Sequence, residues 1–156
     1  MNINNSKLLI VGGAGFVGSN LCHVILERND PKEIWIVDNL ISSEIANVAI
    51  DSRVRFLFGS ITKDSILRQL PADLEFVFHL SCYHGNQSSI ADPFADHQNN
   101  TLTSLKLFDV LKDFKHLNKV VYAAAGCAVA EKTYDDAKAT PEDAPISLFH
   151  DSPYSI

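Results

Sequence analysis

The chain has 156 residues, 46% of them hydrophobic and 21% charged, with a formal net charge of −6. That length suffices for one domain with a substantial core, and the acidic balance argues against nucleic acid or an anionic membrane as partner. The opening stretch MNINNSKLLIVGG has no basic flank and no long apolar run, and nothing later would span a bilayer, so neither a secretory signal nor a membrane anchor is expected.

Residues 7–11, KLLIV, form a short apolar run closed by Gly12-Gly13, the pattern of a buried strand. Between Phe16 and Arg28 the apolar residues fall at 16, 17, 21, 24, 25 and 26, close to helical spacing, and Asn29-Asp30-Pro31 ends the segment. IWIV at 34–37 reads as the second strand; residues 39–53 are mixed and define no clear helix. VRFLF at 54–58 is the third strand, and Thr62 as N-cap predicts a helix over 63–70 that Pro71 stops. FVFHL at 76–80 is the fourth strand. The spacing then predicts one long helix from about 93 to 114, with Leu102, Leu105, Leu107, Phe108 and Leu111 toward the core. KVVYA at 119–123 is the fifth strand; beyond it the chain turns polar, with Pro141, Pro145 and Pro153, and reads as loops with room for one short helix.

Strands alternating with helices imply a parallel sheet covered on both faces. Right-handed crossovers make it an α/β doubly wound parallel sheet of order 3-2-1-4-5, a three-layer αβα arrangement. No repeats or low-complexity segments interrupt it.

The strongest chemical signal is GGAGFVG, which places Gly12, Gly15 and Gly18 at GxxGxxG spacing between the first strand and the first helix. A diphosphate needs close backbone approach and free N–H groups; glycine permits the first and a helix N-terminus supplies the second. The second strand ends in Asp38, twenty residues past Gly18. A carboxylate there binds both hydroxyls of an adenosine ribose and repels a 2′-phosphate, which favours NAD over NADP. The alternative is a glycine-rich turn beside an ordinary strand-end aspartate.

The three cysteines, Cys22, Cys82 and Cys127, are odd in number, widely spaced and form no CxxC pair, as in a reduced cytoplasmic protein. Six histidines fall in no metal-binding spacing, so no metal site is expected.

With GGAGFVGSNL at 12–21, VDNL at 37–40, FHLS at 78–81, DP at 92–93, NN at 99–100 and SPY at 152–154, the chain resembles the N-terminal part of an extended short-chain dehydrogenase/reductase of the NAD-dependent epimerase/dehydratase family. DNL in particular resembles the UDP-hexose 4-epimerases. The resemblance implies a Rossmann-like fold and roles for single positions. Phe16 and Val17, beside Gly15, would lie under the diphosphate. Asp38, Asn39 and Leu40 would hold the adenosine ribose, and Ser60 and Ile61 would flank the adenine, with Ser60 where the family usually has aspartate. Leu80, Ser81 and Cys82 would follow the fourth strand beside the cofactor. His84 stands where related epimerases often carry a lysine on the cofactor ribose; a loop histidine is the other reading. Asn99 resembles a family asparagine on the nicotinamide side, against an amide on a helix surface.

The resemblance also makes Tyr154 the catalytic residue, as the first position of a YxxxK motif. The matching lysine would be the fourth residue after Tyr154, beyond Ile156. The expectation is therefore one NAD-binding domain over 1–156, incomplete at its C-terminal end, with the substrate domain absent. In YAAAGCA, Ala125 falls where the family places a Ser or Thr that bonds the reacting hydroxyl, and Gly126-Cys127 is not the Asp-Glu pair of a 4,6-dehydratase.

The implied function is the NAD-binding domain of a nucleotide-sugar 4-epimerase, which passes a hydride to bound NAD and back. Its substrate would be a nucleotide sugar, read through the missing domain. The long helix suggests a possible homodimer. Two alternatives stay open: a non-catalytic NAD-binding module, and an NAD-dependent sugar reductase or dehydrogenase. The isolated chain is expected to be inactive in turnover.

Overall fold

In the computed structural model, residues 2–83, 85–124, 141–143 and 152–155 are described. The chain divides into two compact units, Met1–Cys82 with Gln98–Ala123, and Tyr83–His97 with Ala124–Ile156.

The first unit holds five strands: β1 Lys7–Val11, β2 Glu33–Asp38, β3 Val54–Phe58, β4 Phe76–His79 and β5 Lys119–Tyr122. They form one all-parallel sheet of order β3-β2-β1-β4-β5, the order expected from sequence. Helix α1 spans Phe16–Arg28, α2 Asp64–Leu67 and α5 Thr101–Leu111.

The pleat of β1 divides the core between two faces. Leu8 and Ile10 join Cys22 and Ile25 of α1 on one face. Leu9 and Val11 join Ile66 and Leu67 of α2 and Leu107 and Leu111 of α5 on the other. A central strand buried on both faces reads as a continuous apolar run.

Three local expectations are corrected. The predicted helix over 93–114 is two helices, α4 Pro93–Asn99 and α5, parted at Asn100 (φ −108°, ψ −70°). Two hydroxyls bond back at this junction: Thr103 Oγ1 donates to the carbonyls of Asn99 and Asn100 at 2.8 and 2.7 Å, and Ser104 Oγ donates to Asn100 O at 2.9 Å, beside the Ser104 N–H at 3.2 Å. Such back-bonding slightly weakens a helix and often bends it. On α5 the buried face is Thr103, Ser104, Leu107 and Leu111; Leu105, expected in the core, is 59% exposed, and Phe108 is also exposed.

The helix expected over 63–70 shrinks to α2, and Thr62 does not cap it: its hydroxyl pairs with Ser60 Oγ at 2.9 Å. The mixed stretch 39–53 contains a single 3₁₀ turn, Ile45–Asn47.

On α1 the buried residues are Gly18, Ser19, Cys22 and Ile25, while Phe16 is 84% exposed and Val17 is exposed too. Small residues let the helix press against the sheet, so the large apolar ones at its start do not serve the core. Burial also pushes the Cys22 thiol up to about 11, which leaves it an unreactive packing group.

In the second unit, α3 covers Asn86–Ala91, a helix the sequence reading did not anticipate. Asp92 Oδ1 accepts the N–H of Ala95 at 2.9 Å, an N-cap immediately before Pro93 at the first position of α4. A 3₁₀ turn at Pro153–Ser155 is tied to α3: Ser152 Oγ bonds Asn86 Oδ1 at 3.0 Å and the Tyr154 N–H donates to Ser89 Oγ at 3.2 Å.

Candidate functional site

In a parallel sheet every strand delivers its following loop to the same edge. Here β1 leads to β2 on one side, and β4 lies on the other side of β1. The crevice at that switch point is where open α/β sheets bind ligands. Gly12 leaves β1 there, Asp38 ends β2, Gly59-Ser60 follow β3, and Leu80-Ser81 follow β4.

The glycines divide by what they serve. Gly12 has φ +81°, and a Cβ on it would come 2.7 Å from the backbone nitrogen of Ser81. On Gly18 a Cβ would sit 2.3 Å from the Gly12 carbonyl oxygen, and on Gly13 2.6 Å from Ile36 Cγ2. These three are demanded by the chain itself. Gly15 is different: its φ is −72°, and a Cβ would meet only the Gly12 oxygen, at 3.3 Å. The fold restricts position 15 least of the four, with one close contact to a backbone oxygen, and the missing side chain leaves space for something outside the chain. Gly15 is also the N-cap of α1, with no side-chain cap and no acidic residue in the first turn. The positive end of this 13-residue helix, with its leading N–H groups, therefore faces outward beside that space.

Asp38 joins the turn directly. Its Oδ2 accepts the Ala14 N–H at 3.0 Å, and its Oδ1 accepts the Leu40 N–H and the Ser43 hydroxyl, each at 2.9 Å. Leu40 adopts φ +57°, which folds the chain back over the carboxylate. Asn39 Oδ1 accepts the Ile41 N–H at 3.2 Å, and Asn47 Nδ2 donates to the Ala14 carbonyl at 2.9 Å. The loop after β2 is thus tied to the glycine turn from both sides.

Ser60 lies at the same edge, its Oγ engaged with Thr62. The Ile61 side chain is fully buried in the core, so only its backbone is left to face a ligand. Leu80 bonds through its N–H to the Val11 carbonyl at 2.9 Å, and the Ser81 hydroxyl meets His79 Nδ1 at 3.3 Å. Asn99 is the last residue of α4. Tyr154, in the second unit, is partly buried in its 3₁₀ turn. His84, Ala125, Gly126 and Cys127 lie outside the described residues.

The sequence reading passed over His79, Ser104, Ser43 and Asn47. Only His79 left a signal: a lone histidine inside the otherwise apolar strand FVFH. It is 1% exposed, and burial pushes its imidazole down to about 4. Among the described residues, no group of three or more His, Cys, Asp or Glu could hold a metal ion, and no helix is long and apolar enough to cross a membrane.

A five-stranded parallel sheet of this order, with a glycine turn and a strand-end carboxylate at its switch point, is a Rossmann fold. Residues 8–156 match the NAD dependent epimerase/dehydratase family, and the chain belongs to it. The enzyme WbmF of Bordetella bronchiseptica, crystallised with NAD+ and UDP, is 48% identical over 98% of this chain and 42% of its own, with a TM-score of 0.79. The epimerase Mth375 of Methanothermobacter thermautotrophicus is 31% identical over 99% of this chain and 44% of its own, with a TM-score of 0.86. Among curated proteins, the UDP-glucose 4-epimerase of Streptococcus mutans is 25% identical over 149 residues, 93% of this chain and 43% of that protein. The chain spans less than half the length of each of these relatives.

Proposed function

We propose that this chain is the NAD-binding domain of a nucleotide-sugar 4-epimerase of the UDP-hexose type, working in the cytoplasm. The observation that carries the reading is the bond from the Ala14 N–H to Asp38 Oδ2. It makes the ribose-binding carboxylate and the diphosphate-binding helix end parts of one unit. A diphosphate would lie in the space beside Gly15, along the glycine turn of Gly12, Gly15 and Gly18, with the exposed Phe16 and Val17 under it.

Asp38, with Asn39 and Leu40, would take the adenosine ribose; a 2′-phosphate there would meet a carboxylate, which selects NAD. Ser60 and the backbone of Ile61 would border the adenine. Leu80 and Ser81 would line the crevice from the β4 side, and His84 and Asn99 would approach the nicotinamide half. The crystallised relative WbmF, taken with NAD+ and UDP, supports both ligand classes.

NAD, when bound, supplies a hydride acceptor that is restored within each cycle. Tyr154 would take the proton from the sugar hydroxyl and later return it to the other epimer. A phenol with a pKa near 10 is a weak base at neutral pH, so a neighbouring cation must favour its ionised form. The family's lysine, one helical turn further on, is the group suited to that task. A substrate half like that of the longer relatives would read the sugar and nucleotide, and a homodimer is the assembly we favour.

The test uses a polypeptide that carries these residues together with that half, supplied with UDP-glucose and NAD. An epimerase yields UDP-galactose with no accumulated NADH, and Tyr154→Phe abolishes turnover while NAD binding persists. Stoichiometric NADH release would make the protein a dehydrogenase. NAD binding without conversion of any nucleotide sugar would make it a non-catalytic module.

A further inference from the structure

The buried histidine of β4 has no role in the reading above, yet its bonds lead to the crevice. Ser104 Oγ donates to the Asn100 carbonyl at 2.9 Å, so its one proton is committed. The same oxygen lies 3.1 Å from His79 Nε2. It can only accept there, which puts the imidazole proton on Nε2. His79 Nδ1 is then bare, and the Ser81 hydroxyl, 3.3 Å away, must donate to it. The ring carries one proton because it is almost wholly buried, packed edge-on against Phe108 and Tyr122 at centroid distances of 6.4 and 5.3 Å. Desolvation disfavours its cationic form.

The last group in this relay sits at the ligand crevice. Ser81 follows β4 on the far side of the switch point from Gly12, and the two backbones touch: a Cβ on Gly12 would come 2.8 Å from Ser81 Cα. Ser81 is only partly buried.

We infer that His79 is a positioning residue for the cofactor crevice: by accepting the Ser81 proton at Nδ1, it leaves Ser81 Oγ only acceptor lone pairs, which select a hydroxyl donor of the ligand, such as a ribose hydroxyl, over a phosphate oxygen. The inference rests on the NAD reading for the identity of the ligand. It does not rest on that reading for the direction of the relay. Asn100, Ser104 and His79 orient a hydroxyl that would otherwise rotate freely and present its proton to the diphosphate.

The variants separate the two ends of the relay. Asn at 79 places an amide oxygen near the Nδ1 position and keeps an acceptor for Ser81. Gln at 79 reaches toward Ser104 and abandons Ser81. We expect Ser81→Ala to weaken NAD binding about three- to tenfold, the range of one hydrogen bond. His79→Gln should match it, and His79→Asn should retain most of the affinity. His79→Gln added to Ser81→Ala should cost no further affinity, whereas a purely structural histidine would give additive losses.

A second measurement needs no variant of His79. Nitrogen-15 NMR of the wild-type imidazole at neutral pH should show a neutral ring protonated at Nε2. A ring protonated at Nδ1, or a cationic one, overturns the relay. If wild type binds NAD and Ser81→Ala binds it equally, the inference fails while the cofactor reading stands. If wild type binds no NAD, the ligand half of the inference falls with that reading, and the NMR result still decides the relay.

Discussion

The carboxylate of Asp38 accepts the backbone N–H of Ala14 at 3.0 Å, so the end of the second strand is bonded to the interior of the glycine turn that follows the first. Asp38 also receives the Leu40 N–H and the Ser43 hydroxyl, which leaves the carboxylate ordered before any ligand arrives. Preorganisation of this kind lowers the ordering cost of binding. It also makes the glycine turn and the proposed ribose site one mechanical unit, and mutations in either should register in cofactor affinity.

Gly15 and Gly18 should respond in opposite ways to alanine. At 18 the new methyl would lie 2.3 Å from a backbone oxygen, which cannot yield without moving α1. Gly18→Ala should therefore lose about 3 kcal/mol or more of stability, the upper end for an overpacked site. At 15 the backbone is in an ordinary extended conformation and the methyl meets one atom at 3.3 Å. Gly15→Ala should fold with a melting temperature close to wild type and bind NAD at least about tenfold more weakly. Thermal melts beside calorimetric titration check both.

On α5 the prediction concerns a face. Leu107 is fully buried in the cluster with Leu67 and Leu111, whereas Leu105 is 59% exposed. Leu107→Ala should cost about 2–5 kcal/mol, and Leu105→Ala about 0.5 kcal/mol or less. Urea unfolding of the two variants measures the difference; equal losses would return Leu105 to the core that its sequence spacing suggested.

His79 sets a pH dependence with a definite sign. Burial holds its pKa at about 4, below the ordinary 6.5. The unfolded chain therefore binds a proton between those values that the folded chain refuses, and stability falls as pH drops through that window. The loss tends toward about 3 kcal/mol once pH is below both values. Little of it appears above pH 7. The ring is faced by Ser81, Ser104, Phe108 and Tyr122, and desolvation alone accounts for the shift. His79→Asn should flatten this part of the stability profile in denaturant titrations run from pH 7 to pH 4.

The sheet was legible in the sequence because its strands are short apolar runs, nearly continuous where both faces are buried, as in β1 and β4, and because crossovers have one hand. The glycine turn and Asp38 were legible for a similar reason: their residue types are dictated by backbone approach and by charge. What escaped was set by small polar groups. The break at Asn100 coincides with two hydroxyls bonding back to carbonyls, which apolar periodicity does not register. The buried face of α1 consists of Ile25 with Gly18, Ser19 and Cys22, small residues that apolar spacing does not single out. The relay through His79 depends on Ser104, far from it in sequence, which meets the ring only once β4 and α5 have packed.

The most direct test of the central claim is calorimetric titration of this chain with NAD and with NADP, using Asp38→Asn as the variant that keeps the shape and removes the charge. The account predicts that wild type binds NAD and discriminates against NADP, and that Asp38→Asn weakens NAD while narrowing the gap between the two. Equal affinity of wild type for NAD and NADP, or NAD affinity unchanged in Asp38→Asn, would contradict it.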